Sequence, residues 1–262
     1  MKQVLGCIVL LVLFSSCSKY MKIRKSSDNE LKFEKAQEYF EKKDYERALP
    51  LLEDVVGAFR GTLKHETVYY LYASCYYELE DYFFAENYMR RFVKTFPRSK
   101  YAEECAFKSA LCSYQLSPKY SLDQSFTYKA IDNLQLFIED YPESEKRDTC
   151  NFLMTELNKK LELKSYENSK LYYKTLHYNS AVISLNNTLK DYPNTRFEED
   201  IRFMILKSNY ELASNSVIKK KKERLENTLE AYQKYIDKFA DSKRAGQAEN
   251  LYESTVKELE RL

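Results

Sequence analysis

The 262-residue sequence predicts an all-α fold made of about five antiparallel helical pairs followed by a capping helix. The first observation behind this is a closing phrase that occurs five times. The phrases are Phe59-Arg60-Gly61-Thr62, Phe96-Pro97-Arg98-Ser99, Tyr141-Pro142-Glu143-Ser144, Tyr192-Pro193-Asn194-Thr195 and Phe239-Ala240-Asp241-Ser242. An aromatic ends a helix, Pro or a similar residue stops it continuing, and Ser or Thr can cap the next one. The second observation is that a small residue (Ala48, Ala85, Ala130, Ala181 or Thr228) stands eleven positions before each phrase. The third is composition. Beyond residue 17 there are three Gly, charged residues make up 31% of the whole, and no run alternates Val, Ile and Thr. Such sequence favours helix over strand. The phrases lie 37, 45, 51 and 47 residues apart, the spacing of a helical-repeat scaffold rather than of an enzyme core.

The elements follow in order. Met1-Lys2, the apolar run Val4 to Phe14 and the small pair Ser15-Ser16 describe a secretory signal over residues 1–16. The run is too short for a permanent span, which needs about 20 residues. Phe14-Ser15-Ser16-Cys17 resembles the bacterial lipobox, with Phe where Leu is usual. That resemblance implies lipid attachment at Cys17, and Ser18, rather than Asp, after it implies the outer membrane, facing the periplasm. Each buried acyl methylene contributes about 0.8 kcal/mol, so three chains anchor firmly. Residues 17–29 are polar and basic, as expected of a lipidated flexible tether.

Residues 30–262 carry the repeats, in an N-terminal half 30–145 and a C-terminal half 146–262. Leu31 to Lys42 is the first A-helix and Tyr45 to Phe59 the first B-helix. Glu66 to Leu79 pairs with Tyr82 to Phe96. Ala102 to Leu116 pairs with Tyr128 to Tyr141 across an insertion, Ser117 to Thr127. Two helices, near Lys146 to Leu161 and Ser165 to Leu176, lead to Asn179 to Tyr192. Phe197 to Ala213 then pairs with Arg224 to Phe239, leaving the run Lys219 to Lys222 as a solvated loop or frayed helix end, or as a patch for anionic headgroups or an acidic partner. Ala245 to Leu262 is the cap, with Glu and Lys toward solvent.

The first three A-helices keep a 37-residue register, and their small residues Ala36, Ala73 and Ala110 mark close helix contacts. In the same register Phe33, Tyr70 and Phe107 are equivalent, as are Phe40, Tyr77 and Tyr114 seven residues on. Residues seven apart share a helical face. These six rings either line a groove for an extended peptide or fill the space between helices.

Catalytic chemistry is not expected. His65 and His177 are far apart, there is no Gly-rich phosphate loop and no nucleophile elbow, and no close cysteine pair suggests a metal. Neither cofactor nor metal is expected. Cys75, Cys105, Cys112 and Cys150 fall among apolar neighbours, so buried free thiols are expected even where the compartment permits disulfides. Without residues 1–16 the chain has 41 basic and 40 acidic residues, which gives nucleic acid no electrostatic hold.

The small residues of both helices, with Tyr39 and Tyr76 at an aromatic position of helix A, resemble the tetratricopeptide repeat. That resemblance implies a right-handed superhelical solenoid with A-helices lining its concave side. The lipobox, the count of units and matches such as Phe33-Glu34-Lys35-Ala36, Tyr45-Glu46-Arg47-Ala48 and Phe96-Pro97-Arg98-Ser99-Lys100-Tyr101-Ala102 resemble the BamD family. This implies a non-catalytic lipoprotein scaffold of the outer-membrane β-barrel assembly complex. The expected partners are unfolded outer membrane proteins, a BamA-like insertase and other assembly lipoproteins. The alternative is another periplasmic tetratricopeptide lipoprotein that coordinates cell-envelope or division proteins.

Overall fold

The computed structural model describes residues 19–262; Cys17, the lipobox and the apolar run before it lie outside them. The described residues form twelve helices and no strand. They are α1 (19–24), α2 (Asn29–Glu41), α3 (Tyr45–Val56), α4 (His65–Glu78), α5 (Tyr82–Thr95), α6 (Ala102–Leu116), α7 (Ser125–Asp140), α8 (Arg147–Lys174), α9 (Tyr178–Asp191), α10 (Glu198–Ser214), α11 (Ile218–Phe239) and α12 (Ala245–Leu259). All five helical pairs and the terminal helix are present. None of the described helices is long and apolar enough to cross a membrane.

The described residues form two compact units, one of residues 19–118 with Leu122–Thr155 and one of Glu156–Leu262 with Lys119–Ser121. In the first, each helix from α2 to α7 packs on the next, and A-helices also meet directly, α2 on α4 and α4 on α6. In the second, α9 to α12 pack in sequence and α10 meets α12.

The core explains the small residues. Ala36, Ala48, Ala73, Ala85, Ala130, Ala181 and Thr228 are wholly excluded from solvent. A larger side chain at any of them would push the helices apart. In α3 the buried set is Ala48, Leu51, Leu52 and Val55, one stripe at helical spacing. Burying each large aliphatic there contributes about 1.5–3 kcal/mol. Phe33, Val68 and Tyr72 complete this cluster, while Met89, Phe92 and Cys105 build the next. The second unit centres on Tyr166, Leu185, Ile201, Leu206 and Tyr235.

Three turns between paired helices are built alike. Lys43, Glu80 and Leu176 take φ of 60°, 60° and 63°, the left-handed conformation that glycine favours. In each, the next residue's N–H returns to a tyrosine carbonyl five positions back: Asp44 to Tyr39, Asp81 to Tyr76 and His177 to Tyr172. These bonds satisfy orphan carbonyls at the helix end.

The closing phrases also share one geometry, and it is not the expected cap. Thr62, Ser99, Ser144, Thr195 and Ser242 each donate a backbone N–H to the aromatic that opens the phrase. In the last four, the side-chain oxygen accepts the N–H two residues on (Tyr101, Lys146, Phe197, Arg244), while α6, α10 and α12 have no side-chain cap bond. The hydroxyl is tied elsewhere. Ser99 donates to Glu66 at 2.6 Å, Ser144 to Glu103 at 2.7 Å and Thr195 to Glu162 at 2.5 Å. Each acid belongs to the preceding A-helix, so the phrase fastens one hairpin to the next.

Three expectations need correction. The helices placed at Lys146 to Leu161 and Ser165 to Leu176 are one 28-residue helix, α8. Nothing in it breaks a helix: it has no Gly and no Pro. Lys219 to Lys222 are not a loop but belong to α11, which starts at Ile218. Finally, within the segment expected as a tether, residues 19–24 are helical. Ile23 joins the first core cluster, and Tyr20 packs edge-on against Tyr39 at 5.8 Å.

Candidate functional site

The six register aromatics lie on α2, α4 and α6, and each ring is at least half withdrawn from solvent. Phe33 is a core residue, its ring 5.5 Å from Phe59. Phe40 meets Tyr45 at 5.3 Å, and Phe107 meets Phe137 at 5.4 Å. Tyr77 lies 6.2 Å from Tyr82, with the Lys108 ammonium 4.9 Å above its ring. Tyr70 stacks on Tyr101 at 4.0 Å with an interplanar angle of 12°. Tyr114 is half-buried near the end of α6. Five of the six rings therefore pack against another ring of the fold.

The polar part of this surface centres on Glu104. Tyr70 donates its hydroxyl to both carboxylate oxygens, at 3.1 and 3.2 Å. Lys108 holds the same carboxylate at 2.8 Å and reaches Glu78 at 3.6 Å. Burial, reinforced by the Glu104 charge, pushes the Tyr70 phenol up to about 12. Burial works against the Lys108 cation, but its bond to Glu104 prevails and its pKa is raised. Beside Phe33 a groove of about 660 Å³ opens between α2 and the start of α4. Leu31, Phe33 and Leu63 form its apolar wall, and Glu30, Glu34, Gln37 and Thr67 supply polar groups.

The sequence register missed a second copy of this arrangement. Tyr166 on α8 stacks on Phe197 at 4.1 Å and 2°, and its hydroxyl donates to Asp200 at 2.8 Å. Lys170 adds a bond to the phenol oxygen at 3.0 Å. In both copies the stacked ring comes 31 residues, and the carboxylate 34 residues, after the tyrosine. That spacing can be read from the sequence, and it differs from the 37-residue register of the first three A-helices. The acids that fasten the closing phrases, Glu66, Glu103 and Glu162, were missed too.

The remaining polar candidates are structural. Cys75, Cys105, Cys112 and Cys150 are free and buried. Burial pushes the first three thiols up to about 12 and Cys150 to about 11, far from reactive thiolates. His65 packs edge-on against Phe96 at 5.2 Å, and burial lowers its pKa. Among the described residues no group of three or more His, Cys, Asp or Glu is placed to hold a metal ion. The lipid-attachment expectation at Cys17 lies outside the described residues.

Successive helical hairpins, three of them joined by hydroxyl–carboxylate bonds, with small buried residues recurring on both helices, define a tetratricopeptide-like repeat protein. Sequence comparison then gives the particular family. The chain belongs to the YfiO family, described as outer membrane lipoprotein, whose profile matches residues 25–225. It is also 25% identical over 271 residues to a candidate outer membrane protein assembly factor BamD of Aquifex aeolicus, covering 99% of this chain and 86% of that one. Two crystal structures of nearly identical tetratricopeptide-like repeats from a candidate kinesin light chain of Podospora anserina are 17% identical to it, each with a TM-score of 0.33. One covers 78% of this chain and 93% of its own, the other, 80% and 98%.

Proposed function

We propose that this protein is a non-catalytic lipoprotein scaffold of the outer-membrane β-barrel assembly complex, held at the membrane by acylated Cys17 and facing the periplasm. The observation that carries this reading is the likeness to the Aquifex assembly factor, which extends over 99% of the chain. The division of labour follows the helices. The A-helix surface of the first three pairs, with Phe33, Phe40, Tyr70, Tyr77, Phe107 and Tyr114, receives unfolded barrel precursors. A strand laid beside Phe33 would set apolar side chains against Leu31 and Leu63, while its backbone N–H groups find Glu30, Glu34 and Gln37. The later pairs dock a BamA-like insertase and other assembly lipoproteins.

Affinity purification from detergent-solubilised outer membranes tests the scaffold role. Recovery of a BamA-like insertase supports it; recovery of peptidoglycan synthases or division proteins in its place replaces it with an envelope-coordinating role. For the anchor, Cys17→Ala should abolish incorporation of labelled palmitate, and persistent labelling would refute the assignment.

A further inference from the structure

The start of α11 sets four lysines where six other helices place acids and where α5, α7, α9 and α12 place neither acid nor base. A helix N-terminus carries partial positive charge and is stabilised by acids. Glu30, Glu46, Glu66, Glu103 and Asp148 occupy that place in α2, α3, α4, α6 and α8, and α10 has three acids there. The first turn of α11 has none, and Lys219 to Lys222 stand there. Among the described residues, Lys221 is the one lysine of this run with an ion pair, to Glu258 at 2.8 Å. Arg224 turns back to the Leu212 carbonyl and the Ser216 hydroxyl. Lys219, Lys220 and Lys222 are exposed. Directly before them Val217 and Ile218 are 71% and 82% exposed. Among the described residues the Lys221–Glu258 pair alone offsets this crowding of like charge, and three exposed lysines are left as a site for something outside the chain.

We propose that residues 217–222 seat on an anionic phospholipid surface, a second membrane contact independent of any acyl anchor. The chemistry selects this occupant. Lysines with long apolar stems reach headgroup phosphates while Val217 and Ile218 enter the acyl boundary beneath them. Protein interfaces are poor in Lys and rich in Arg and aromatics, whereas residues 214–226 contain four lysines, one arginine and no aromatic ring. For a member of an outer membrane lipoprotein family, a bilayer is within reach.

The test uses the unacylated chain from Ser18 onward, which carries every described helix. It is floated with phosphatidylcholine vesicles containing about one third phosphatidylglycerol, the anionic surface that attracts basic segments. The chain should bind these vesicles and not pure phosphatidylcholine, and binding should fall steeply as salt is raised, because screening shortens the reach of exposed charge. Replacing Lys219, Lys220 and Lys222 by Gln should weaken binding by about a hundredfold, near fivefold per lysine. Val217→Ser with Ile218→Ser should also weaken it, and helical circular dichroism should be unchanged in both variants. Equal binding to neutral vesicles, or unchanged binding of the triple Gln variant, would overturn the proposal. So would capture by polyglutamate with no binding to the anionic vesicles, which would make the patch a surface for acidic polypeptide. Because the probe is a vesicle and the chain lacks its anchor, the result is separate from the assembly role proposed above.

Discussion

The two units contain the same stacked-ring arrangement and complete it differently. In the first, Tyr70 lies on Tyr101 and bonds Glu104, and Lys108 reaches that acid from its own helix. In the second, Tyr166 lies on Phe197 and bonds one oxygen of Asp200, while Arg244 takes the other. Arg244 is the N-cap residue of α12, the last helix. Burial would raise the Asp200 pKa, yet its bonds to Arg244 and Tyr166 hold it below the ordinary value. The difference reflects position in the array. A repeat inside a stack is covered by the next pair, whereas α10 and α11 are covered by the single helix α12, which supplies both apolar cover and a cation.

The largest expected effect tests whether the two stacks carry equal weight. Tyr166 is 3% exposed, so Tyr166→Ala should destabilise by about 3–5 kcal/mol, the range for deleting a buried aromatic. Tyr70 is only half-buried, and Tyr70→Ala should cost about half as much. Denaturant titration of both variants measures this, and equal losses would break the contrast.

Next come the joints. Ser99→Ala and Ser144→Ala each remove a bond to a carboxylate and should cost about 1.5–3 kcal/mol. If thermal denaturation finds both near zero, the joints are ornamental. A smaller effect belongs to the Tyr70 phenol. Tyr70→Phe keeps the stack and loses the Glu104 bond, for about 1 kcal/mol near neutral pH. The folded-state pKa is raised to about 12 from 10.0, so this hydroxyl's contribution is full below pH 10 and is lost as pH climbs toward 12. The variant should therefore lose less stability than the parent over that alkaline range.

At the acid end the sign reverses. Asp200 is depressed below 3.8, so its contribution is present above that pH and disappears as pH falls through the lower folded value. Asp200→Asn should flatten this acid limb. Arg244→Ala should do the same for about 1 kcal/mol at most, because both partners are more than a third exposed. Stability curves between pH 2 and 5, spanning the ordinary carboxylate range, would expose an unchanged limb.

The helical pairs were legible because their signals are local. Ala48, Ala85, Ala130, Ala181 and Thr228 mark helix contacts that admit nothing larger, and an aromatic eleven residues on ends each B-helix or follows it closely. The unbroken α8 was hidden by the expectation that each pair has a similar length, although the stretch itself carries no helix breaker. The start of α11 was hidden by its lysines, whose charge suits solvent better than a helix N-terminus. The register of Phe33, Tyr70 and Phe107 identified equivalent positions but not what the rings touch. Their partners, Phe59, Tyr101 and Phe137, come from other helices or loops and are set by tertiary packing. The joint acids were illegible for the same reason, since a Glu 33 or 41 residues before a hydroxyl has no local signature.

The hydroxyl–carboxylate joints have a consequence for how such a chain can diversify. Each fixes the pose in which a hairpin begins by reference only to the hairpin before it, so the length of chain between joints is free to drift. The long turn before α7 and the 28 residues of α8 both lie between joints. Insertions grafted into the A-to-B turns should leave downstream hairpins in place, whereas one placed between Phe96 and Ala102 should misdirect everything that follows. The chain is, in this respect, a train whose carriages vary in length because its couplings do not.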